Sequence, residues 1–89
     1  VPRREDGVTE QETARAWREL VDYAETWAGG PRWVGGEVQY PPALRPEMVA
    51  GLAAVGGIHR VAYRTAAEDR QLRAMFAWAY GLRVKGGAA

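Results

Sequence analysis

Side chains suited to nucleophilic, metal-binding or acid–base chemistry are scarce in this 89-residue chain. It holds no Ser, Asn or Cys, a single His at His59 and a single Lys at Lys85. A serine or cysteine nucleophile, a disulfide framework and a thiolate metal site are therefore excluded. One imidazole cannot supply a zinc site or a two-histidine iron site, so no metal or cofactor is expected. The nearest approach to paired carboxylates is Glu12, Glu19, Asp22 and Glu25, which their spacing puts on one helix face. Arg15 and Arg18 interleave them, the pattern of a solvated face with i,i+3 and i,i+4 ion pairs. Such a face lacks the burial that tunes a carboxylate toward neutral pH. A non-enzymatic binding module is expected.

Gly56-Gly57 resembles a fragment of a phosphate-binding loop, but a P-loop or dinucleotide fingerprint needs a preceding buried strand and wider glycine spacing. A helix precedes it here, so a helix C-cap with a sharp turn is expected. That turn would join two short helices, the second carrying His59, Arg60 and Arg64 outward as nucleic-acid-binding residues. Arg can read guanine edges, which makes a helix-turn-helix DNA-binding module the alternative function. Against it, no Asn, Gln, Ser or Thr precedes Thr65 in that second helix. The residue types that read bases are nearly missing.

The elements that must position these groups follow from local signals. Residues 1–8 show no periodicity and are expected to be a flexible lead-in. Thr9 with Glu12 is a capping-box pattern that opens a helix. Its inner arc is Ala14, Trp17, Leu20, Val21, Ala24, Trp27 and Ala28, and Gly29-Gly30-Pro31 closes it. Trp33-Val34, Gly35-Gly36 and Glu37-Val38 fit a short hairpin with a primed turn, or equally a loop pinned by Trp33, Val38 and Tyr40. Pro46 suits the first position of a second helix, with Met48, Val49, Leu52 and Val55 inward. A short third helix runs from Ile58 to about Arg64, with Ile58, Val61 and Ala62 inward. Thr65 with Glu68 is a second capping box, opening a last helix that reaches Tyr80 before Gly81. The predicted fold is all-α: a small bundle of three main helices plus one short helix, with a Pro/Gly-rich loop or hairpin between helices 1 and 2. Its single domain spans residues 9–82, and residues 83–89 are expected to form a flexible tail.

Charge is uneven along this plan. Residues 1–30 carry seven acids and four bases, and residues 31–89 four acids and eight bases, within a net charge of +1. A basic half attracts phosphate and acidic protein faces alike, so DNA contact stays open. No apolar run approaches the roughly 20 residues that span a bilayer, and the first residues are charged rather than signal-like. The expectation is no membrane partner and a cytoplasmic location.

The last helix has more apolar surface than a small bundle needs. Leu72, Phe76, Ala79 and Tyr80 define a core arc, but Met75, Trp78 and Leu82 widen it well past the usual stripe. Trp and Arg are enriched at interface hot spots. Trp33, Tyr40, Arg70, Arg73 and Trp78 are therefore the expected partner-binding residues. Two other arrangements account for the wide arc: Trp78 folding back over Trp33 or Tyr40, or a homodimer burying Trp78 against its mate.

The stretch from Leu44 to Val61, followed by Arg73-Ala-Met-Phe76-Ala-Trp-Ala-Tyr80, resembles small phage and prophage DNA-replication proteins of the replicative-helicase loader or inhibitor type. In those, an N-terminal helix with a central Trp, here Trp17, precedes a helix ending in a hydrophobic-Gly-Gly-hydrophobic turn, here Val55-Gly56-Gly57-Ile58. The aromatic residue that often follows Gly-Gly there is Ile58 in this chain. The resemblance covers about residues 12–82, and it implies a small helical domain with a replicative helicase as its protein partner.

Overall fold

The computed structural model describes residues 9–88, with side-chain surroundings as far as Val84. The predicted lead-in at residues 1–8 lies outside the described residues. Four helices and one two-stranded antiparallel sheet follow in the order α1 (Glu10–Trp27), β1 (Arg32–Val34), β2 (Glu37–Gln39), α2 (Pro46–Ala54), α3 (Ile58–Ala62) and α4 (Ala66–Ala88). The fold is mostly helical, at 67%, yet the sheet means it is not strictly all-α.

Both capping boxes form. Thr9 and Glu12 exchange hydrogen bonds between side chain and backbone at 2.9 and 3.1 Å, and Thr65 and Glu68 do the same at 2.8 and 3.1 Å. Each reciprocal pair satisfies two orphan helix donors, and loss of such a cap costs about 1 kcal/mol. At the other end of α2, Gly57 N–H donates to Leu52 C=O and Gly56 N–H to Ala53 C=O. This is a Schellman ending, and Gly56 and Gly57 both take the positive φ it exploits, 94° and 107°.

Of the two options for the segment after α1, the hairpin forms. Gly35 and Gly36 both have positive φ, as a type I′ turn requires, and Trp33 pairs with Val38. All six ladder residues are exposed, so no core face holds the ribbon down. Its root is tied to α1 instead, with the Arg32 guanidinium 5.5 Å from the centre of the Trp27 ring.

The core is built from Trp17, Leu20, Met48, Val55, Val61, Leu72, Phe76 and Tyr80. Phe76 lies at its centre: its ring is 5.5 Å from Trp17 on α1 and 5.3 Å from Tyr80 one turn along α4. On the third side it presses on Gly51, where an added Cβ would stand only 2.3 Å from the Phe76 ring.

Three sequence expectations need correction. The buried band of α1 is Ala16, Trp17, Leu20, Ala24 and Ala28, so Ala14, Val21 and Trp27 are only half-buried. On α2, Val49 is 51% exposed, because Met48, Gly51 and Val55 already occupy the side that meets α4. The last helix does not end at Gly81 and continues to Ala88 through the predicted tail. Gly81 keeps a negative φ, and Val84, one turn on, packs against the core. That contact offsets the roughly 1 kcal/mol that a mid-helix glycine costs.

The Gly51–Phe76 contact yields a sign test. In an open helix, Gly→Ala stabilises by up to about 1 kcal/mol. Gly51→Ala is expected instead to destabilise by about 1–3 kcal/mol, because the new methyl overpacks a buried ring. Urea unfolding of the two proteins measures the difference, and a stabilised variant would contradict the packing described.

Candidate functional site

The residues expected to bind partners fall into three places. Trp33 and Tyr40 stand on the hairpin and just after it, 75% and 70% exposed. Trp78 is 69% exposed on α4, so neither aromatic of the hairpin segment covers it. The fold-back arrangement of Trp78 over Trp33 or Tyr40 is therefore absent. Met75 and Leu82 are exposed beside Trp78, and the three recur at the i, i+3, i+7 spacing of one helix stripe. Ala54, at the end of α2, joins Ala74, Met75 and Trp78 in lining a shallow apolar groove. Arg70 is exposed on the same helix, one turn before Ala74.

Arg73 is exposed too, but it belongs to another face. It lines the cleft between α4 and α1 together with Ala14, Arg18 and Val21. At 100° per residue, Arg73 and Trp78 lie about 140° apart around α4. The structure thus separates two residues that the sequence grouped. Ala54 and the groove it helps to form were not foreseen, because only packing brings α2 alongside Trp78.

The alternative nucleic-acid set is divided more sharply. His59 is exposed, with its ring stacked on Tyr63 at 6.2 Å. Arg60 is exposed and sits 3.8 Å from the Glu68 carboxylate. Arg64, expected to point outward, turns in, and only 19% of its side chain is exposed. Its Nε donates to Asp69 at 2.6 Å and its Nη1 to the Val61 carbonyl at 2.9 Å. Glu25 lies 3.8 Å from Nη1, and the guanidinium sits 5.7 Å from the Trp17 ring centre. A planar cation can satisfy carboxylate, carbonyl and indole at once, which is why this charge is not solvated. Moreover, α3 has only five residues. The expected outward orientation of Arg64 is corrected: it ties α3 and α4 to α1.

Hydrogen bonding from Arg64 is the main cause that holds the Asp69 carboxyl below the ordinary Asp value, with smaller pulls from the charge of Arg73 and from Trp17. Glu68 is also lowered, first by the Thr65 backbone N–H that it caps. Other acids are engaged by Arg45, which donates to both oxygens of Glu19 at 3.1 Å and to Glu47 at 3.2 Å.

No group of three or more His, Asp or Glu capable of holding a metal ion occurs among the described residues. No helix among them is long and apolar enough to cross a membrane. A scan of protein-family models and searches of curated proteins and of solved structures find no match to this chain.

The depressed Asp69 value sets a pH dependence of definite sign. Its contribution to stability is complete above the ordinary Asp pKa, about 3.9, and is lost as pH falls through the lower folded value. Asp69→Asn is expected to be less stable than the parent at neutral pH, with the two converging in acid. Glu68 leaves a residual acid slope in the variant. Denaturant unfolding across the acid range checks this, and a constant gap at every pH would contradict it.

Proposed function

We propose that this chain is a non-enzymatic protein-interaction module in DNA replication, with a replicative helicase as its partner in a loader or inhibitor role. The observation that carries the interaction role is the Met75–Trp78–Leu82 stripe, exposed on the helix whose opposite side builds the core. Contiguous apolar patches on a monomer's surface mark interaction sites, and Trp leads the residue types that dominate binding energy. The stripe also suits the common mode in which an apolar helix face meets a complementary groove or helix. The helicase as partner rests on the resemblance of residues 12–82 to small phage replication proteins. Arg70, exposed one turn before Ala74 of the groove, favours an acidic group on the partner.

A helix-turn-helix DNA-binding role has less support, since Arg64 is committed to Asp69 and α3 is a single short turn of helix. A homodimer across the stripe is the other competitor.

Calorimetric titration against the replicative helicase tests the proposal. Trp78→Ala is expected to weaken binding about thirtyfold or more, the scale of a hot-spot residue, while stability changes by less than ~0.5 kcal/mol. Wild-type affinity in Trp78→Ala overturns the surface. Duplex DNA binding that is lost in Arg60→Glu favours the nucleic-acid role instead.

A further inference from the structure

Between α1 and the first turns of α4 the surface opens into a cleft of about 660 Å³. Its apolar lining is Ala14, Trp17 and Val21, the indole almost wholly buried. Arginines dominate the rim, because most of the acids nearby are already engaged. Glu19 gives both oxygens to Arg45, and Asp69 is bound by Arg64. Arg15, Arg18 and Arg73 remain exposed; no described carboxylate pairs with Arg15 or Arg18, and Arg73 only adds its charge to the field on Asp69, which Arg64 already holds. Asp22 is the one acid of the cleft with no basic partner, so the lining keeps more guanidiniums than free carboxylates.

We propose that this cleft is a second binding site, on a different face from the Trp78 stripe, for an acidic peptide segment carrying an apolar side chain. The apolar side chain lies over Ala14 and Val21, and Arg18 and Arg73 hold carboxylates on either side of it. Guanidinium forks match carboxylates in bidentate geometry, and the apolar lining rewards burial that a bare anion cannot provide. A nucleic-acid strand fits less well. Trp17 is too buried to stack on a base, whereas an aliphatic side chain needs only the apolar lining of Ala14 and Val21.

The test is an NMR titration of the full chain with a synthetic peptide of Glu-Glu-Leu repeats. A Lys-Lys-Leu peptide and a duplex oligonucleotide are run as comparisons. The acidic peptide is expected to shift the backbone amides of Ala14, Arg18, Val21 and Arg73 and to leave those of Met75 and Leu82 in place. Arg18→Glu and Arg73→Glu each weaken it at least about tenfold, as loss of a charge-assisted contact does. Both side chains are exposed, and an unfolding midpoint measured for each variant separates loss of binding from loss of fold. The proposal is overturned by unchanged affinity in both variants, by shifts confined to the Trp78 stripe, or by equal binding of the basic peptide. It is likewise overturned if the duplex binds this cleft more tightly than the acidic peptide does. Loss of helicase binding in Trp78→Ala leaves the cleft unaffected, so the two surfaces fail separately.

Discussion

The close approach of Phe76 to the backbone of α2 is the contact around which the domain is organised. Gly51 leaves room for the ring, which then meets Trp17 of α1 on one side and Tyr80 on the other. Three of the four helices converge on one side chain. Once Leu72, Phe76, Ala79, Tyr80 and Val84 occupy the inward side of α4, Met75, Trp78 and Leu82 have no core left to enter. Their exposure follows from how the core was filled. A helix of 23 residues against an α2 of only nine leaves much of its length without a neighbour to cover it.

A second level of organisation is polar. Arg64 reaches Asp69 of α4, Glu25 of α1 and the end of α3, lying over the Trp17 ring as it does so. Exposed ion pairs are worth little, but this one is largely shielded and multiply hydrogen-bonded. Arg45 ties Glu19 of α1 to Glu47 of α2 in a more open setting. Together these pairs remove acids from the α1–α4 side and leave Arg15 and Arg18 unmatched. The near-neutral net charge of the chain gives no sign of that local excess.

What the sequence revealed was what depends on neighbours along the chain. Thr9 with Glu12, Thr65 with Glu68, the Gly56-Gly57 ending and the Gly35-Gly36 turn are all local hydrogen-bond or φ requirements, and each appears where the pattern puts it. The hairpin stayed one of two options because turn chemistry alone does not stabilise so short a ribbon. Burial was less legible. A helical wheel ranks Trp27 and Val49 by angle, whereas the packing of α2, α3 and α4 decides which angles are covered. Gly81 reads as a stop, and only the Val84 contact overrides it. Arg64 carried the reverse error, since a charge at the end of a short helix looks solvated until a carboxylate and an indole from other helices close on it. Gly51 had a signal that was available: a glycine inside an otherwise good helix implies a close neighbour.

The division of the candidate residues changes what kind of partner the chain can accept. A flat partner surface cannot touch Arg73 and Trp78 together, because about 140° of helix circumference separates them. Trp33 and Tyr40 project from a ribbon with no core face of its own. One partner engaging all three would have to wrap around α4 and reach back to the hairpin. Wrapping suits an extended or folding-on-binding segment, which covers large surfaces at modest affinity for its area. A rigid partner would use the Trp78 stripe alone, leaving the arginine cleft and the hairpin free for other contacts. The positions of these side chains around α4 therefore favour either a wrapping chain or more than one simultaneous contact, and they disfavour a single planar interface.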